Sequence, residues 1–298
     1  MMTEPATKAP DMEVGEQQLW ASRFKKRTDS IAKTYSDSTT IDRNLFYQDI
    51  WGSEAHTIML GYTGINTQEQ TKGILAALQD VKAQFREGTW DLALSEEDVH
   101  MNVERFVIDH SGIDNGGRMH TCRSRNDQVV LDTKLYTRDH IRRVVSGLIT
   151  LVDVLLSQSK DHTETIMPGY THTQHAQPMT FAYWLTQYAA VFLRDVDRLL
   201  SADETVDTNP LGSGALTGTS FPINRQLTTS LLGFSGIQEH CLDSVSARDF
   251  NLQTLSSLSI LFSSISRLAD EIIYGITHEF GYMVLDDAFS MGSSMMPQ

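Results

Sequence analysis

The stretch FAYWLTQYAAVFLRDVDRL, residues 181–199, carries the clearest structural signal in the chain. Its large apolar side chains recur every three or four residues, which is the spacing of one face of an α-helix. They are Phe181, Trp184, Leu185, Tyr188, Phe192, Val196 and Leu199. Because a stripe of this length has to be buried against another element, the segment predicts a long helix within a helical assembly.

Two further segments repeat this pattern, one on each side of the first. The earlier one contains Ile141, Val144, Val145, Leu148, Leu151, Val152, Leu155 and Leu156. The later one places Leu255, Leu258, Phe262, Ile265, Leu268 and Ile272 on one face, with Leu261 beside it. Alternating β-branched runs, which would indicate strands, stay short throughout. The sequence therefore predicts a mainly α protein built around a bundle of long helices.

The N-terminal part has the pattern of shorter helices. Its apolar stripe consists of Ile58, Leu60, Ile74, Leu75, Leu78, Val81 and Phe85, and Gly88 is the expected end of one helix. Residues 110–125, HSGIDNGGRMHTCRSR, are rich in glycine and poor in apolar side chains, so we place a domain boundary there. The prediction is a mobile acidic tail at 1–18, an N-terminal helical domain at 19–111 and a central helical-bundle domain at 112–298.

Composition narrows the class of protein. The 298 residues carry a formal net charge of −14, which disfavours nucleic acid or an anionic membrane as the main partner. Apolar runs are too short to span a membrane, and the polar start lacks the core of a signal peptide. Cys122 and Cys241 lack metal-ligand spacing and indicate free thiols in a reducing compartment. We expect a cytoplasmic protein.

Two polar segments precede the long helices. In DVHMNVE, residues 98–104, His100 and Glu104 lie one helical turn apart, which is also the spacing of an ordinary solvated pair. HTCRSRNDQ, residues 120–128, collects two guanidinium groups, two hydroxyls, an amide and a carboxylate. At a helix N-terminus such groups form a cradle for a carboxylate, or an N-cap network around Ser124 and Asp127. Both interpretations remain open.

Two more polar segments lie further along the chain. GYTHTQHAQP, residues 169–178, predicts a loop that holds His172 and His175. Histidine both gives and takes a proton near neutral pH, although a single loop histidine is more often structural. MGSSMMPQ, residues 291–298, is a turn of small residues, and a serine there becomes a base only if its surroundings lower its pKa.

Taken together, these segments resemble a known enzyme family. GSSMMPQ is similar to the start of the fumarase/aspartase superfamily signature, G-S-S-x-M-P-x-K-x-N-P. HTCRSRNDQ is similar to the block H-T-G-R-S-R-N-D-Q, and DVHMNVE, PGYTHTQHAQP, NPLGSGALTGTSFPI and residues 246–250 match further blocks. In this order and combination, the blocks resemble the argininosuccinate lyase family over residues 19–298.

The resemblance implies a fold and a reaction. The expected fold is fumarase/aspartase-like, with a small N-terminal helical domain and a long-helix bundle. The expected reaction splits argininosuccinate into arginine and fumarate by anti elimination, a step of arginine biosynthesis, without a metal or organic cofactor. Two alternatives remain: a related lyase that releases fumarate from another amino-acid adduct, and a non-catalytic structural protein on the same fold.

The resemblance also implies roles for individual residues. Ser293 matches the catalytic base, and His172 matches its partner in proton transfer. The expected substrate-binding residues are Ser38, Asn126, Thr171, Thr121, Ser124 and His100. Arg123 and Arg125 both suit carboxylates, and the sequence does not indicate which of them faces the substrate. Family members are homotetramers whose active sites combine three chains, so the same assembly is expected here.

Some positions depart from the family pattern. Cys122 stands where the family usually has glycine, so its side chain is expected either to narrow the pocket or to force the backbone from a glycine-only conformation. Ala21-Ser22 replace a pair of glycines within 20–24, and His240-Cys241 replace Asn-Ser. The signature's lysine and asparagine would follow Gln298. Because that lysine stabilises the carbanion, we expect a missing C-terminal part and no activity from the 298-residue chain alone.

Overall fold

The structure of the protein, a computed structural model, describes residues 29–296. The predicted tail at 1–18 and the altered glycine pair at Ala21-Ser22 lie outside the described residues. The described part is mainly α-helical, as predicted, and none of its helices is long and apolar enough to cross a membrane. The longer helices are α3 Phe46–Tyr62, α4 Gln68–Glu87, α5 Val99–Ser111, α7 Arg125–Asp161, α8 Phe181–Val206 and α11 Asp249–Ile276.

Short elements connect these helices. The short helices are α1 Ser30–Ser36, α2 Thr39–Asp42, α6 Ile113–Gly116, α9 Arg225–Leu232 and α10 Cys241–Ser246, with 3-10 turns at Arg43–Leu45 and Asp287–Phe289. The strands are β1 Ile166–Thr171, β2 Gln174–Thr180, β3 Thr208–Asn209 and β4 Gly236–Ile237. The first two strands form an antiparallel hairpin, and the last two form a minimal parallel pair.

The bundle consists of α7, α8 and α11, with α8 between the other two. Of the predicted α8 stripe, Phe181 is partly buried and the other six side chains are buried. The helix begins where the Thr180 hydroxyl accepts a hydrogen bond from the Tyr183 amide. Since each large apolar side chain stabilises the folded state by about 1.5–3 kcal/mol when it leaves water, this stripe accounts for much of the bundle's stability.

The N-terminal helices α3, α4 and α5 surround a second core. α4 begins with a capping box between Thr67 and Gln70, and it ends at Gly88, whose φ of 73° confirms the predicted helix end. A third core joins Ala55 of α3 to Leu131 and Leu135 of α7. Because α7 packs on both sides, the proposed domain division at 111/112 stays a prediction.

The buried face of α11 agrees only in part with the predicted one. Leu255 and Phe262 are exposed by 60% and 66%, whereas Leu261 is buried and Leu258, Leu268 and Ile272 pack partly against the bundle core. The buried face also contains Thr254, Ser257 and Ser264, whose hydroxyls donate to carbonyls one turn earlier. The apolar spacing therefore placed Leu258, Leu268 and Ile272 correctly and Leu255 and Phe262 wrongly, because it took no account of the small buried side chains.

The segment expected to be a loop between α7 and α8 is a β-hairpin. Its register pairs Met167 with Met179 and Pro168 with Pro178, and the pairing is irregular between Pro168 and Tyr170. Prolines cannot donate to a strand ladder, which is why the sequence suggested a loop. The two turn residues, His172 and Thr173, have φ values of 52° and 56°, the signs of the tight hairpin turn that suits two strands.

Candidate active site

Residues 124–128, SRNDQ, form the N-cap and first turn of α7. The Ser124 hydroxyl accepts a hydrogen bond of 3.2 Å from the Asn126 amide. The Asp127 carboxylate returns the bond by accepting from the Ser124 amide at 3.0 Å. These bonds satisfy the first amides of a 37-residue helix and fix its direction. The N-cap network that the sequence allowed is therefore present.

Asp127 also holds the glycine-rich loop at 209–222 against this helix end. Its second oxygen accepts from the amides of Gly212 at 3.0 Å and Gly214 at 2.9 Å. Both glycines have positive φ, 93° and 60°, which explains the residue type at each position. Burial raises the pKa of Asp127, while the donated amide bonds act in the opposite direction. The sequence indicated a cap at Asp127 but not this tie between two loops.

Asn126 adds a second tie to the same loop. Its side-chain nitrogen donates to the Ala215 carbonyl at 2.9 Å, while the residue itself remains exposed. The structure thus brings three of the predicted substrate-binding residues, Thr121, Ser124 and Asn126, into one segment beside the 209–222 loop. Thr121 is half-buried, and its carbonyl lies 2.8 Å from Nε2 of His56.

The two arginines of this segment point in different directions. Arg123 is 8% exposed and donates to the hydroxyl of Ser53 at 3.0 Å. Arg125 is partly exposed and lies 3.2 Å from a carboxylate oxygen of Asp98 and 3.9 Å from one of Glu104. Arg123 is therefore an interior cation, and Arg125 is the guanidinium that lies near the surface.

His100 lies in the interior instead of on a surface open to substrate. Its Nε2 is 2.8 Å from an oxygen of Asp132, and its Nδ1 is 3.4 Å from an oxygen of Asp98. Burial opposes protonation, but the carboxylates of Asp49, Asp132 and Asp98 outweigh it and raise the pKa of His100 to about 10. His100 of α5 is therefore an imidazolium that pairs with Asp132 of α7 and with Asp98. Glu104, one helical turn away, is not its partner.

Asp49, His100 and Asp132 form the described group of side chains that most resembles a metal site, with ligand atoms within 4.8 Å of one another. The Gln128 amide already donates to Asp49 at 2.6 Å, and Arg123 and the His100 imidazolium supply positive charge. Because a protonated imidazole cannot ligate a cation, this arrangement favours an internal ion network over a metal centre.

The backbone at Cys122 has a φ of 64°, in the left-handed region that favours glycine. The backbone here therefore has a conformation that suits glycine, and the cysteine side chain is accommodated at some cost in strain. Burial raises the pKa of the Cys122 thiol, so the neutral form is favoured.

Ser38 is positioned by the start of α5. Its amide donates to the Glu97 carbonyl at 3.1 Å, and its hydroxyl donates to the Asp42 carboxylate. Glu97 immediately precedes Asp98, the residue paired with Arg125. Ser38 is thus brought toward the N-terminus of α7, although it comes from the other end of the N-terminal region.

The two predicted proton-transfer residues occupy other elements. Thr171 and His172 lie at the exposed tip of the hairpin, where the Thr173 hydroxyl donates to the His172 carbonyl at 2.7 Å. Ser293 lies in an exposed turn, and its hydroxyl accepts from the amides of Met295 at 3.2 Å and Met296 at 3.0 Å. The structure assembles the residues around α7 and leaves these two groups on separate elements.

Comparison with known proteins adds independent information. Residues 22–298 match a lyase family. Proteins named argininosuccinate lyase from Desulfitobacterium hafniense and Desulforamulus reducens are 44% identical over 280 residues, or 94% of this chain. The chain spans about 60% of the length of these curated relatives.

Solved structures show a similar fold. An EDDS lyase in complex with formate superposes with a TM-score of 0.80 at 29% identity, covering 90% of this chain and 52% of that one. A variant of that enzyme with bound fumarate gives the same values. A fumarate lyase from Mesorhizobium sp. BNC1 superposes with a TM-score of 0.67 at 22% identity, and the match covers 80% of this chain and 56% of that one. This similarity is one of fold.

Proposed function

Since the chain belongs to the lyase family that its residues 22–298 match, we propose that it forms part of an argininosuccinate lyase. The reaction would be the cofactor-free elimination that splits argininosuccinate into arginine and fumarate, in cytoplasmic arginine biosynthesis. The observation that carries this proposal is the donor-rich N-terminus of α7, which Asp127 joins to the glycine-rich loop.

We assign substrate carboxylate binding to this helix end. The N-terminus of a long helix carries a partial positive charge and favours an anion. Ser124 and Asn126 place a hydroxyl and an amide beside it, and Arg125 adds a guanidinium near the surface. Removing a proton next to a carboxylate places a second negative charge on that group. Fixed donors stabilise this charge without reorganising during the reaction.

Proton transfer is assigned to the two exposed elements. In the proposed step the Ser293 oxygen, as alkoxide, takes a proton from the carbon next to a carboxylate. The resulting electron pair forms the double bond of fumarate as the carbon–nitrogen bond breaks. The leaving guanidine nitrogen takes a proton, with His172 as the donor or as the group that orients it. Anti elimination needs base and acid on opposite faces of the substrate, which suits residues held by separate elements.

The homotetramer is also proposed, with active sites shared between chains. Leu255 and Phe262 of α11 are exposed, and so, in part, are Val154 of α7 and Leu193 of α8. Exposed apolar groups along a bundle of this kind indicate an interface. A second copy that packs its long helices there would cover them and bring Ser293 or His172 of one chain to Asn126 of another.

The assembly is tested by light scattering on the wild type and on Phe262→Asp. We expect the charged substitution to reduce the measured mass, because a carboxylate would be buried between helices. Leu94→Asp is the matched control, since Leu94 is similarly exposed at 69% but lies outside the bundle. A fully active monomer would contradict the proposal.

The activity is tested by following fumarate release from argininosuccinate by its ultraviolet absorbance. The assay uses this chain and a version extended past Gln298 with the corresponding segment of the Desulfitobacterium hafniense relative. In the active form, Ser293→Ala should lower turnover by about 10²–10⁴-fold while substrate still binds. Ser294→Ala, in the same turn, should have little effect. A Ser293→Ala variant that keeps a tenth of the turnover would remove Ser293 from the role of base.

His172 is tested by separating kcat from KM. His172→Asn should lower kcat more than it changes KM, because the proposed role concerns the reacting proton. His175→Asn provides a control in the same hairpin, where His175 Nε2 is 3.1 Å from the Tyr170 hydroxyl. A change in KM alone would make His172 a binding residue.

A related lyase for a different fumarate adduct is the second candidate. Cys122 favours it, since it places a side chain between Thr121 and Ser124 where the family usually has glycine. The same assay with other amine adducts of fumarate distinguishes the two. Release from another adduct but not from argininosuccinate would support the second candidate, and release from none would favour a non-catalytic protein.

A further inference from the structure

A cavity of about 430 Å³ lies at the hairpin end of the bundle. Its walls come from the hairpin, from α8, from α11 and from the chain that follows α11. Six of the side chains that line it are aromatic: Tyr170, Tyr183, Trp184, Tyr274, Phe280 and Tyr282. The volume is that of pockets that hold small molecules. The residues to which the proposed lyase reaction is assigned, Ser293, His172, Ser124, Arg125 and Asn126, are not among its lining residues.

Glu271 gives the cavity its charge. Among the described residues that line it, Glu271 is the one with a formal charge at neutral pH. The carboxylate is half-buried and accepts a hydrogen bond from the indole nitrogen of Trp184, so its position is fixed. Burial raises the pKa of Tyr282, and the neighbouring groups Tyr170 and Glu271 add to the rise.

The rings present more than one orientation to the cavity. Tyr170 and Phe280 are nearly perpendicular, at 81°, with centroids 5.1 Å apart. Tyr170 and Tyr282 are nearly parallel, at 18° and 6.2 Å. Because the face of an aromatic ring carries negative potential, rings on several sides attract a cation that enters between them.

We propose that this cavity binds a small organic cation, a guanidinium or alkylammonium group, between the aromatic rings and with Glu271 as its counter-ion. An anion would meet a carboxylate and no cationic side chain among the described lining residues. A purely apolar ligand would exclude water from Glu271 and leave the Trp184 indole as its partner without any opposite charge, which is costly for a carboxylate.

The site is distinct from the surfaces discussed above. Leu255, on the exposed apolar face, lies nineteen residues before Tyr274 on the same helix, which is about 28 Å along its axis. Ser293 and Asn126 are not among the lining residues, whereas Thr173 of the hairpin tip is. The inference does not rest on the lyase activity, since binding can be measured on this chain directly.

The test is calorimetric titration of the chain with butylguanidinium and with butylurea, its neutral isostere. We expect butylguanidinium to bind at least about tenfold more tightly, because only the cation gains from the rings and from Glu271. Glu271→Gln should weaken butylguanidinium binding by about tenfold or more, while the glutamine can still accept from Trp184. Asp270→Asn is the matched control, since it removes the same charge from the neighbouring position of α11 and should leave binding unchanged.

A second variant covers the case in which Glu271→Gln fails to fold. Tyr274 is 53% exposed at the rim, so Tyr274→Leu removes a ring with little effect on the core, and severalfold weaker binding of butylguanidinium is expected. Equal binding of butylguanidinium and butylurea would overturn the proposal in favour of an apolar pocket. It would also be overturned by unchanged affinity in folded Glu271→Gln, or by no binding of butylguanidinium to the wild type.

Discussion

The start of α7 and the tip of the β1–β2 hairpin contain predicted site residues in opposite surroundings. At the start of α7, Asp127 and Gln128 are buried and their side chains are tied to α3 and to the 209–222 loop. At the hairpin tip, Thr171 and His172 are exposed, and the described contacts there are local.

The difference shows which part of the site one chain prepares by itself. Charge stabilisation needs donors that are fixed before the reaction begins, and the α7 end meets that requirement through its internal bonds. A proton-transfer residue has to meet a substrate atom, and the exposed hairpin tip presents His172 to whatever docks there. The following predictions either strengthen this contrast or remove it.

The largest effect is expected in the buried ion network of Asp49, His100, Asp132 and Arg123. Asp132→Ala removes the carboxylate nearest the His100 imidazolium and leaves a buried charge without its closest partner. Breaking a buried pair in this way typically costs about 3–5 kcal/mol in the free energy of unfolding. Asp153→Ala, on the exposed side of the same helix, should leave it unchanged. The measurement is urea-induced unfolding, and a loss no greater than that of the control would show that the network is not tight.

The next effect concerns the tie between α7 and the glycine-rich loop. Asp127→Ala would leave the amides of Ser124, Gly212 and Gly214 without their acceptor. We expect a loss of about 1–3 kcal/mol in the free energy of unfolding, since buried donors would lack partners. His172→Ala at the hairpin tip should change it little. If both substitutions cost the same, the contrast between the two regions would be wrong.

The dependence of stability on pH distinguishes the charged histidine, His100, from the two neutral ones, His56 and His120. The folded pKa of His100, about 10, is above its ordinary value of 6.5, so its contribution is complete below 6.5 and is lost as the pH rises toward 10. Burial first, and then Arg123, lower the pKa values of His56 and His120 to about 3. Their contribution is therefore lost as the pH falls below 6.5.

The contribution of these three histidines to the free energy of unfolding should thus peak near pH 6.5, and each of them changes it by at most about 1.4 kcal/mol per pH unit. Denaturant titrations across this range measure the profile. His100→Asn should flatten the alkaline side while leaving the acid side in place. A stability that rises steadily above pH 6.5 would contradict the assigned charge of His100.

The smallest effect is expected from relieving backbone strain. Cys122→Gly replaces a side chain at a φ of 64° with the residue that suits this conformation, and we expect it to stabilise the fold by up to about 1 kcal/mol. Thr173→Gly, at 56° in the hairpin, provides the comparison in the other region. Thermal unfolding measures both. A destabilising Cys122→Gly would show that the thiol makes packing contacts worth more than the strain.

Some of this protein could be predicted from the sequence because the physical signal is local. The α8 stripe and the Gly88 helix end follow from side chains a few residues apart, and the structure confirms both. The cap at Ser124 and Asp127 is local in the same way. Each motif that resembles the lyase family is a contiguous stretch of sequence, so the family could be predicted from the sequence alone.

Other features depend on which helices and strands pack together, and the spacing of apolar residues along the chain does not determine that. The buried face of α11 includes Thr254, Ser257 and Ser264, whereas Leu255 and Phe262 of the predicted stripe are exposed. The hairpin forms despite Pro168 and Pro178 because each is paired with the other, where neither needs to donate.

The same reason separates the residues of the site. The sequence named His100 as a polar residue near the substrate, but only the tertiary structure surrounds it with the carboxylates of Asp49 and Asp132, which come from α3 and α7. Local sequence determined the helices, their caps and the family motifs. Long-range packing decided which charges meet, since a carboxylate more than thirty residues away in sequence sets whether a buried histidine carries a proton.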